Sequence, residues 1–259
     1  MDRSDLDVAL DAAAAATRVI ARAFDQPAAP VWKGAVDPVT ETDRLAEDAA
    51  LEVIRRARPA DLILAEESGG ADWSTGRVWI VDPLDGTVNF VHRVPQVAVS
   101  VALWVDGEAE VGVVEDVVAG IRFAARRGHG ATAAGHPISV SSTPQLAQSL
   151  IGTGFGYDRT ERAEHYAGVL GRVLGRCLGI RRIGSAALDL CWVAAGRFDG
   201  YWEERLKPWD SAAGALIVAE AGGTVSALDG SGFRLDAPGV VATNGIVHAE
   251  LVAALQGNE

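Results

Sequence analysis

Residues 79–90 read WIVDPLDGTVNF, an apolar run that ends in a turn rich in oxygen donors. Pro83 has no backbone N–H, so we expect the strand to end there, with Asp82 at its tip and Asp85 in the turn on a similar heading. The Gly-Thr pair that follows offers free backbone amides, which favour a phosphate. Two carboxylates beside an anion site need a cation between them, and hard oxygen donors suit Mg²⁺. A plain strand, turn and helix, with Asp85 as helix cap, is the equally open alternative.

A pair of glutamates, Glu66 and Glu67, follows a second short apolar run at residues 62–65. Taken by themselves, these glutamates favour a solvated loop. They gain interest because both apolar runs end in carboxylates, and neighbouring strands that end alike would bring their tips together. If the two strands are neighbours, Glu66 can share a metal with Asp82 and Asp85.

A third acidic position, Asp210, opens a predicted helix at residues 211–221, inside the segment WDSAAGALIVAEAGG at 209–223. Helix capping is the commoner role of an aspartate in that position. The alanines and glycine of the helix permit close packing against another element. The sequence therefore also allows Asp210 to be held rigidly at a buried site.

The spacing of apolar residues changes along the chain. It predicts amphipathic helices at residues 5–24 and 43–57, the second capped by Thr42. Between residues 97 and 142, alternating apolar residues and an Asp-Gly turn predict an antiparallel meander.

Beyond residue 149 the pattern predicts helices that alternate with short strands. The helices are expected at 163–177, 186–195, 211–221 and close to the C-terminus, and the strands at 180–183, 199–203 and from 240. This order predicts layered α and β structure in a single domain of residues 1–259. Its N-terminal α+β half would run to about residue 145 and its C-terminal α/β half from about residue 146.

The composition excludes several classes of protein. The 259 residues include 23 Lys and Arg against 35 Asp and Glu, a net charge of -12 that repels nucleic acids and anionic membranes unless one face is basic. No apolar run approaches the ~18 residues of a membrane span, and the acidic N-terminus lacks the order of a secretory signal. We therefore predict a cytoplasmic protein, in which Cys177 and Cys191 are small buried hydrophobes.

Three segments together resemble the inositol monophosphatase family, part of the Mg²⁺-dependent, lithium-sensitive phosphatase superfamily. They are the Glu-Glu-Ser at 66–68, the WIVDPLDGTVNF segment and the WDSAAGALIVAEAGG segment, in family order and spacing. The Gly-Ser-Ala-Ala at 184–187 and the run GRFDGYWE at 196–203 resemble the bacterial branch most closely. Ala65 stands where Gly is frequent in the family, without removing a ligand. The resemblance implies the αβαβα layered fold of the sugar phosphatases.

The resemblance also implies a set of metal ligands. Glu66, Asp82 and the carbonyl oxygen of Leu84 would bind one Mg²⁺, and Asp82, Asp85 and Asp210 would bind a second. Glu66 would share a weaker third ion with water. Asp82 would then bridge two cations, close enough to stabilise the attacking and leaving oxygens of an in-line displacement.

The catalytic residues that the resemblance implies are Thr87, Asp43 and Glu66. Thr87, hydrogen-bonded to Asp43, would orient the attacking water and help to deprotonate it. For Asp43 the alternative is stabilisation of a helix N-terminus, and both roles can hold at once. Lys33 resembles a mobile-loop lysine near the third metal, and a solvated loop lysine is its alternative.

The resemblance further implies how the substrate binds. The residues concerned are Asp85, Gly86, Thr87, Gly184, Ser185, Ala186, Glu203 and Asp210. Glu203 would accept hydrogen bonds from inositol hydroxyls, on the side opposite the phosphate. An exposed glutamate beside Glu204 and Arg205 is the alternative.

The activity implied is Mg²⁺-dependent hydrolysis of a small phosphate monoester, foremost myo-inositol monophosphate, by metal-activated water. No Ser, Cys or His is placed as an activated nucleophile, so we expect no covalent intermediate. Histidinol phosphate, fructose 1,6-bisphosphate and 3'-phosphoadenosine 5'-phosphate are alternative substrates. A regulatory protein that keeps the fold and partners RNA or the transcription machinery is the alternative of another class, and the net charge of -12 counts against it. The family implies a homodimer.

Overall fold

A computed structural model describes residues 3–26, 30–32 and 38–257 of the chain. Its helices are α1 (Asp5–Ala23), α2 (Glu41–Ala57), α3 (Thr87–His92), α4 (Ala163–Leu174), α5 (Ala186–Ala194), α6 (Pro208–Glu220) and α7 (His248–Gln256). Its strands are β1 (Val31–Trp32), β2 (Pro38–Val39), β3 (Leu62–Ala65), β4 (Gly69–Gly70), β5 (Arg77–Asp85), β6 (Ala98–Val105), β7 (Glu108–Asp116), β8 (Ile121–Arg126), β9 (Ala131–Ala133), β10 (His136–Ile138), β11 (Leu150–Thr153), β12 (Gly179–Arg181), β13 (Gly200–Glu204), β14 (Thr224–Ser226) and β15 (Gly239–Thr243). Lys33 lies outside the described residues.

The larger sheet has eight strands in the order β10-β9-β8-β7-β6-β5-β3-β4. Only β3 and β5 run parallel, and every other neighbouring pair is antiparallel. Strands β6 to β10 form the predicted meander. Helix α1 packs on one face of β6 and β7 and helix α6 on the other, which explains why apolar residues occur on both faces of β6.

Strands β1 and β2 pair with each other as a separate two-stranded antiparallel sheet. Of the two main sheets, the smaller has five strands in the order β12-β11-β13-β15-β14. Strand β11 runs parallel to both β12 and β13, and the pairs of β15 with β13 and β14 are antiparallel. Strand β14 is too short to give a clear alternation, and the sequence did not predict it.

The helices and the two sheets alternate as five layers. Helices α1 and α2 cover the outer face of the larger sheet, α5 and α6 fill the space between the sheets, and α4 and α7 cover the smaller sheet. Three clusters of buried apolar side chains lie between successive layers. The αβαβα architecture expected from the sequence is confirmed.

Local helix starts differ from the predictions in two places. Thr40, not Thr42, caps α2, because its hydroxyl accepts from the Thr42 amide at 3.2 Å while Asp43 accepts from the Thr40 amide at 2.8 Å. Helix α6 begins earlier than predicted because Pro208 occupies its first turn, where a missing N–H costs nothing. Asp210 is therefore inside the first turn of α6 and is not its N-cap residue.

The prediction that Pro83 ends its strand is wrong. Strand β5 continues to Asp85, and the pairing register with β6 shifts between Asp82 and Asp85. Pro83 lies at this shift in register, where the ladder is interrupted and a residue without a backbone N–H is tolerated. The result keeps Asp82 and Asp85 on one continuous strand.

Two further findings concern the whole described chain. Among these residues no helix has the length and apolarity to cross a membrane. Cys191 is buried within α5 and Cys177 is half-buried, and neither forms a disulfide.

Candidate active site

The parallel pairing of β3 with β5 places two acidic strand ends side by side. Ala65 pairs with Val81, and the Glu66 amide donates to the Val81 carbonyl at 3.2 Å. Glu66 and Asp82 are the next residues on the two strands. The two strands are therefore neighbours, which is the condition for a shared metal.

Glu47, which the sequence analysis missed, fixes the turn that carries Glu66. It is 3% exposed, and its carboxylate accepts from the amides of Glu67 at 2.8 Å and Ser68 at 3.0 Å. Glu47 lies four residues after Asp43, so both carboxylates are on the buried face of α2. Two acidic residues at that spacing on an otherwise apolar helix face were the available signal.

The two aspartates of β5 are anchored differently. Asp82 is 2% exposed, and its carboxylate accepts from the Leu84 amide at 3.0 Å. This hydrogen bond stabilises the backbone at residues 82–84. Asp85 accepts from the Ser185 hydroxyl at 2.6 Å and from the Ala187 amide at 2.8 Å. Asp85 thus connects the larger sheet to the start of α5.

Ser185 has a role that its assignment to the substrate did not foresee. Its hydroxyl donates to Asp85, accepts from the Leu188 amide at 3.3 Å as the cap of α5, and is buried. It is therefore placed to orient a metal ligand.

Asp210 is brought to the same place by the first turn of α6. Its carboxylate accepts from the Lys207 amide at 2.7 Å. The neighbouring Trp209 carbonyl accepts from the Ser100 hydroxyl at 3.2 Å, which ties the start of α6 to β6. Small residues along α6 permit this close approach, and a Cβ added to Gly112 of β7 would lie 2.7 Å from the Ala213 carbonyl oxygen.

The buried carboxylates raise one another's pKa. Burial raises the pKa of Asp82 well above its ordinary value, and the charges of Glu66, Asp85 and Asp210 raise it further. Burial and the charge of Asp85 act in the same direction on the pKa of Asp210. Burial also raises the pKa of Asp85, against the opposing hydrogen bond from Ser185. A group of carboxylates that repel one another in this way is stabilised by a cation.

The donor set fits a hydrated Mg²⁺ ion. Carboxylate oxygens and the Leu84 carbonyl are hard ligands, and Mg²⁺ in proteins keeps several waters and binds one or two carboxylates together with substrate phosphate. Within the described residues, no group of three or more His, Cys, Asp or Glu side chains is arranged to hold a metal ion without further ligands. The arrangement therefore suits an ion whose remaining ligands are water and substrate.

Thr87 and Asp43 are hydrogen-bonded at 3.1 Å between Oγ1 and Oδ1, as the resemblance implied. The Thr87 hydroxyl also lies 3.2 Å from the Leu84 carbonyl oxygen. Asp43 is held from behind by Thr40, whose hydroxyl donates at 2.5 Å. Burial raises the pKa of Asp43, while the hydrogen bonds from Thr40 and Thr87 lower it. The pair is thus rigid before any substrate binds.

Asn89 holds the two halves of the chain together beside this pair. Its side-chain amide donates to the carbonyls of Gln96 at 2.8 Å, Ile183 at 2.9 Å and Gly184 at 3.3 Å. Gly184 has φ of +88°, and a Cβ there would lie 3.0 Å from the Asn89 amide nitrogen. The segment before α5 is therefore fixed against the Gly86–Thr87 turn.

These residues surround a cavity of about 550 Å³, a size typical of small-molecule sites. Of the predicted site residues, those that line it are Glu66, Asp82, Leu84, Asp85, Gly86, Thr87, Gly184, Ala186, Glu203 and Asp210. Asp43 and Ser185 lie behind this lining and bond to Thr87 and Asp85.

The cationic and aromatic part of the cavity wall was not predicted from the sequence. The residues concerned are Phe155, Tyr157, Arg159, Arg182, Arg205 and Trp209, with Lys207 beside them. Several belong to the loop after β11, which has no periodicity to signal its position. Arg205 pairs with Asp158 at 2.8 Å, and Arg159 stacks on Tyr157 at 5.8 Å from the ring centre.

The raised pKa values of Asp82, Asp85 and Asp210 predict an unusual pH dependence of stability. Without divalent cations the folded chain binds protons more tightly than the unfolded chain. The stabilisation is complete below the ordinary aspartate pKa and is lost as pH rises through the raised values. An Mg²⁺ ion that binds the folded chain and not the unfolded chain would add about 2.7 kcal/mol at about 100 times its Kd. We expect the Mg²⁺-induced rise in Tm to be larger at mildly alkaline than at mildly acidic pH. Equal rises at both pH values would contradict the assignment.

Comparison with known proteins agrees with this geometry. A sequence model of the inositol monophosphatase family matches residues 1–259. The chain is 40% identical to the Nus factor SuhB of Escherichia coli strain K12 over 254 residues, 97% of this chain and 95% of that protein. It is 46% identical to an inositol-1-monophosphatase of Synechocystis sp. over 224 residues, 85% of this chain and 77% of that protein.

A solved structure extends the likeness to the fold. The inositol monophosphatase of Anabaena superposes with a TM-score of 0.89 at 40% identity, covering 98% of this chain and 96% of that one. The family generally depends on Mg²⁺, which agrees with the carboxylate group described above. Whole-chain matches in sequence and in fold show that this chain belongs to the inositol monophosphatase family.

Proposed function

We propose that the chain hydrolyses a small phosphate monoester, foremost myo-inositol monophosphate, with Mg²⁺ and water. The observation that carries this proposal is the meeting of Glu66, Asp82, Asp85 and Asp210 at one cavity. Burial raises the pKa values of the three aspartates, and neighbouring carboxylates raise those of Asp82 and Asp210 further. The similarity to inositol monophosphatases supports the choice of substrate.

The carboxylates would hold two Mg²⁺ ions, and Glu66 would share a third with water. Asp82 and the Leu84 carbonyl would serve one ion together with Glu66, and Asp85 and Asp210 would join Asp82 at the second. When bound, Mg²⁺ lowers the pKa of water and neutralises phosphate charge. Ser185 and the Ala187 amide keep Asp85 oriented for this task.

Thr87 would position the attacking water. Its hydroxyl proton is directed to Asp43 or to the Leu84 carbonyl, so its oxygen is free to accept a hydrogen bond from water. Asp43, with its pKa raised by burial, is suited to take up a proton passed through Thr87. The rigid support of Asp43 by Thr40 keeps this path aligned.

Glu203 would recognise the leaving group. It lines the cavity on β13, and burial raises its pKa to about 7. As a carboxylate it accepts hydrogen bonds from sugar hydroxyls. We therefore expect binding of a polyol to improve as pH rises through about 7.

Glu203→Gln tests this recognition. We expect it to weaken kcat/KM for inositol monophosphate by about 1–3 kcal/mol, the cost of a charge-assisted contact. Hydrolysis of an aryl phosphate without hydroxyls should stay almost unchanged, which makes it the control within the same protein. Equal losses on both substrates would contradict the role.

The cationic wall bears on the alternative substrates. Arg159, Arg182, Arg205 and Lys207 favour anionic ligands generally, so histidinol phosphate, fructose 1,6-bisphosphate and 3'-phosphoadenosine 5'-phosphate remain to be compared. Glu203 near a second phosphate would be repulsive, which favours a polyol. A panel of these substrates with Mg²⁺ should rank inositol monophosphate first. Preference for a bisphosphate or for histidinol phosphate would overturn the ranking.

A regulatory role in transcription is a second candidate, and the similarity to the SuhB Nus factor supports it. Such a role would not need the carboxylates. It predicts that an inactive variant at Asp210 still binds the transcription machinery in pull-down experiments. From the family resemblance we also propose one catalytic domain, a homodimer in the cytoplasm and inhibition by lithium.

A further inference from the structure

The carboxylate of Glu203 is held by a buried tyrosine on the same strand. Tyr201 precedes Glu203 by two residues on β13, so both side chains lie on one face of the sheet. The Tyr201 hydroxyl donates to Glu203 Oε2 at 2.6 Å, and Tyr201 is 0% exposed. Oε1 of Glu203 accepts no hydrogen bond from the described residues, although the side chain lines the cavity. Oε2 of Glu203 is thus already hydrogen-bonded to Tyr201, and Oε1 is available to accept a hydrogen bond from a ligand.

The neighbouring strand leaves room for this carboxylate. Strand β11 runs parallel to β13 with Gly152 opposite Tyr201, so Gly154 lies next to Glu203. A Cβ on Gly154 would lie 1.9 Å from Oε2 and 2.3 Å from Oε1 of Glu203. The φ of Gly154 is outside the left-handed region, so this glycine is needed for space and not for its backbone conformation.

A second glycine on the same face makes room for another buried acid. A Cβ on Gly152 would lie 2.8 Å from Oδ1 of Asp189, a side chain 1% exposed whose Oδ1 has no hydrogen-bond partner among the described residues. Burial raises the pKa of Asp189 well above its ordinary value, and the charge of Glu203 raises it further. Glu203 therefore needs a donor such as Tyr201 to stay ionised there.

We propose that Tyr201 and Gly154 are positioning residues for substrate choice, which hold Glu203 so that Oε1 accepts from a hydroxyl of the leaving group. This inference rests on the proposed function, in which Glu203 contacts that group. A carboxylate fixed before binding loses less conformational freedom when the substrate arrives. Tyr201 and Gly154 then govern the preference for polyol phosphates without touching the substrate.

The hydrogen bond from Tyr201 also affects the ionisation of Glu203. The groups that face Glu203 are Tyr201 on β13, Arg182 before α5, Asp85 on β5, Asp189 on α5 and Asp210 on α6. Burial raises the Glu203 pKa to about 7, the Tyr201 hydrogen bond and Arg182 lower it, and Asp85 raises it. Removing the tyrosine hydroxyl should raise this pKa further.

Tyr201→Phe removes the hydroxyl and keeps the ring. At saturating Mg²⁺ we expect KM for inositol monophosphate to rise about 5- to 10-fold, with the acid limb of kcat/KM moved to higher pH. For 4-nitrophenyl phosphate neither change is expected. On a Glu203→Gln background, Tyr201→Phe should add almost nothing, because the two act through one contact. Gly154→Ala should change the substrate ratio in the same direction by displacing the carboxylate.

Ser141→Ala is the matched control. It removes a hydroxyl-to-carboxylate bond of the same length, from Ser141 to Asp199 at 2.6 Å, between residues that do not line the cavity, and should leave the substrate ratio and the pH profile unchanged. Equal losses on both substrates in Tyr201→Phe, or a full additional loss on the Glu203→Gln background, would overturn the inference and leave the proposed function standing. If Glu203→Gln itself fails to separate the two substrates, the inference and the assigned role of Glu203 both fall, while phosphate release by the wild-type protein tests the proposed hydrolysis separately. Melting curves of each variant identify losses that come from unfolding.

Discussion

Asp210→Asn is expected to lower kcat by about 10²–10³-fold or more while the protein stays folded. The amide keeps the size of the side chain and can still accept from the Lys207 amide. It removes a negative charge from the group that would hold the second Mg²⁺, which must stabilise the leaving oxygen. Asp85→Asn should act alike, because Asp85 would serve the same ion. Steady-state kinetics at saturating Mg²⁺ measure the loss.

In Asp210→Asn the Tm of the Mg²⁺-free protein should rise, although kcat falls. The Asp210 pKa is raised by burial and by the charge of Asp85, so neutralising Asp210 relieves repulsion. We expect Asp210→Asn to raise the Tm of the Mg²⁺-free protein and to reduce the further rise on adding Mg²⁺. Asp116→Asn is the matched control, since Asp116 is 5% exposed with a pKa raised by burial but does not line the cavity. Wild-type turnover in Asp85→Asn and Asp210→Asn would refute the two-metal assignment.

Thr87→Ala is expected to lower kcat by about 10²-fold and to change KM far less. A residue that orients the attacking water contributes chiefly in the transition state, so its loss appears in kcat. The loss of kcat should be equal for every substrate, including an aryl phosphate, because the same water attacks all of them.

Thr87→Ser is the control for this prediction. Serine keeps a hydroxyl within reach of Asp43 and should retain most of the activity, although the more mobile side chain gives a modest loss. A rise in KM with unchanged kcat would instead identify Thr87 as a phosphate ligand. Comparison of Ala and Ser separates loss of the hydroxyl from loss of packing.

The secondary structure was predictable where a local residue pattern is compatible with only one type of element. Alternation around an Asp-Gly turn predicted the meander of β6 to β10. The parallel pairing of β3 with β5 was not predicted, and the sequence indicated only that their acidic ends could share a metal if the strands were neighbours. The predicted ends of elements were wrong where side-chain hydrogen bonds or a shift in strand register determine the boundary. Thr40 and Asp43 form a capping box that starts α2 earlier, and the register shift at Asp82 lets β5 pass Pro83.

The residues of the site were predictable from the sequence only where a local motif contains them. Carboxylates within motifs, such as Asp82 and Asp210, could be singled out from the sequence. Residues that act through long-range contacts could not. Glu47 bonds a turn twenty residues away, and Asn89 bonds the carbonyls of Ile183 and Gly184, which lie 94 and 95 residues further along the chain. Only the folded chain brings these partners together.

The most direct measurement is release of inorganic phosphate from myo-inositol 1-phosphate by the purified wild-type protein, with Mg²⁺ and with a chelator in its place. The account predicts multiple turnovers with Mg²⁺, none with the chelator, and recovery when Mg²⁺ is returned. Turnover that persists without divalent cations, or a folded protein that releases no phosphate with Mg²⁺ present, would contradict it.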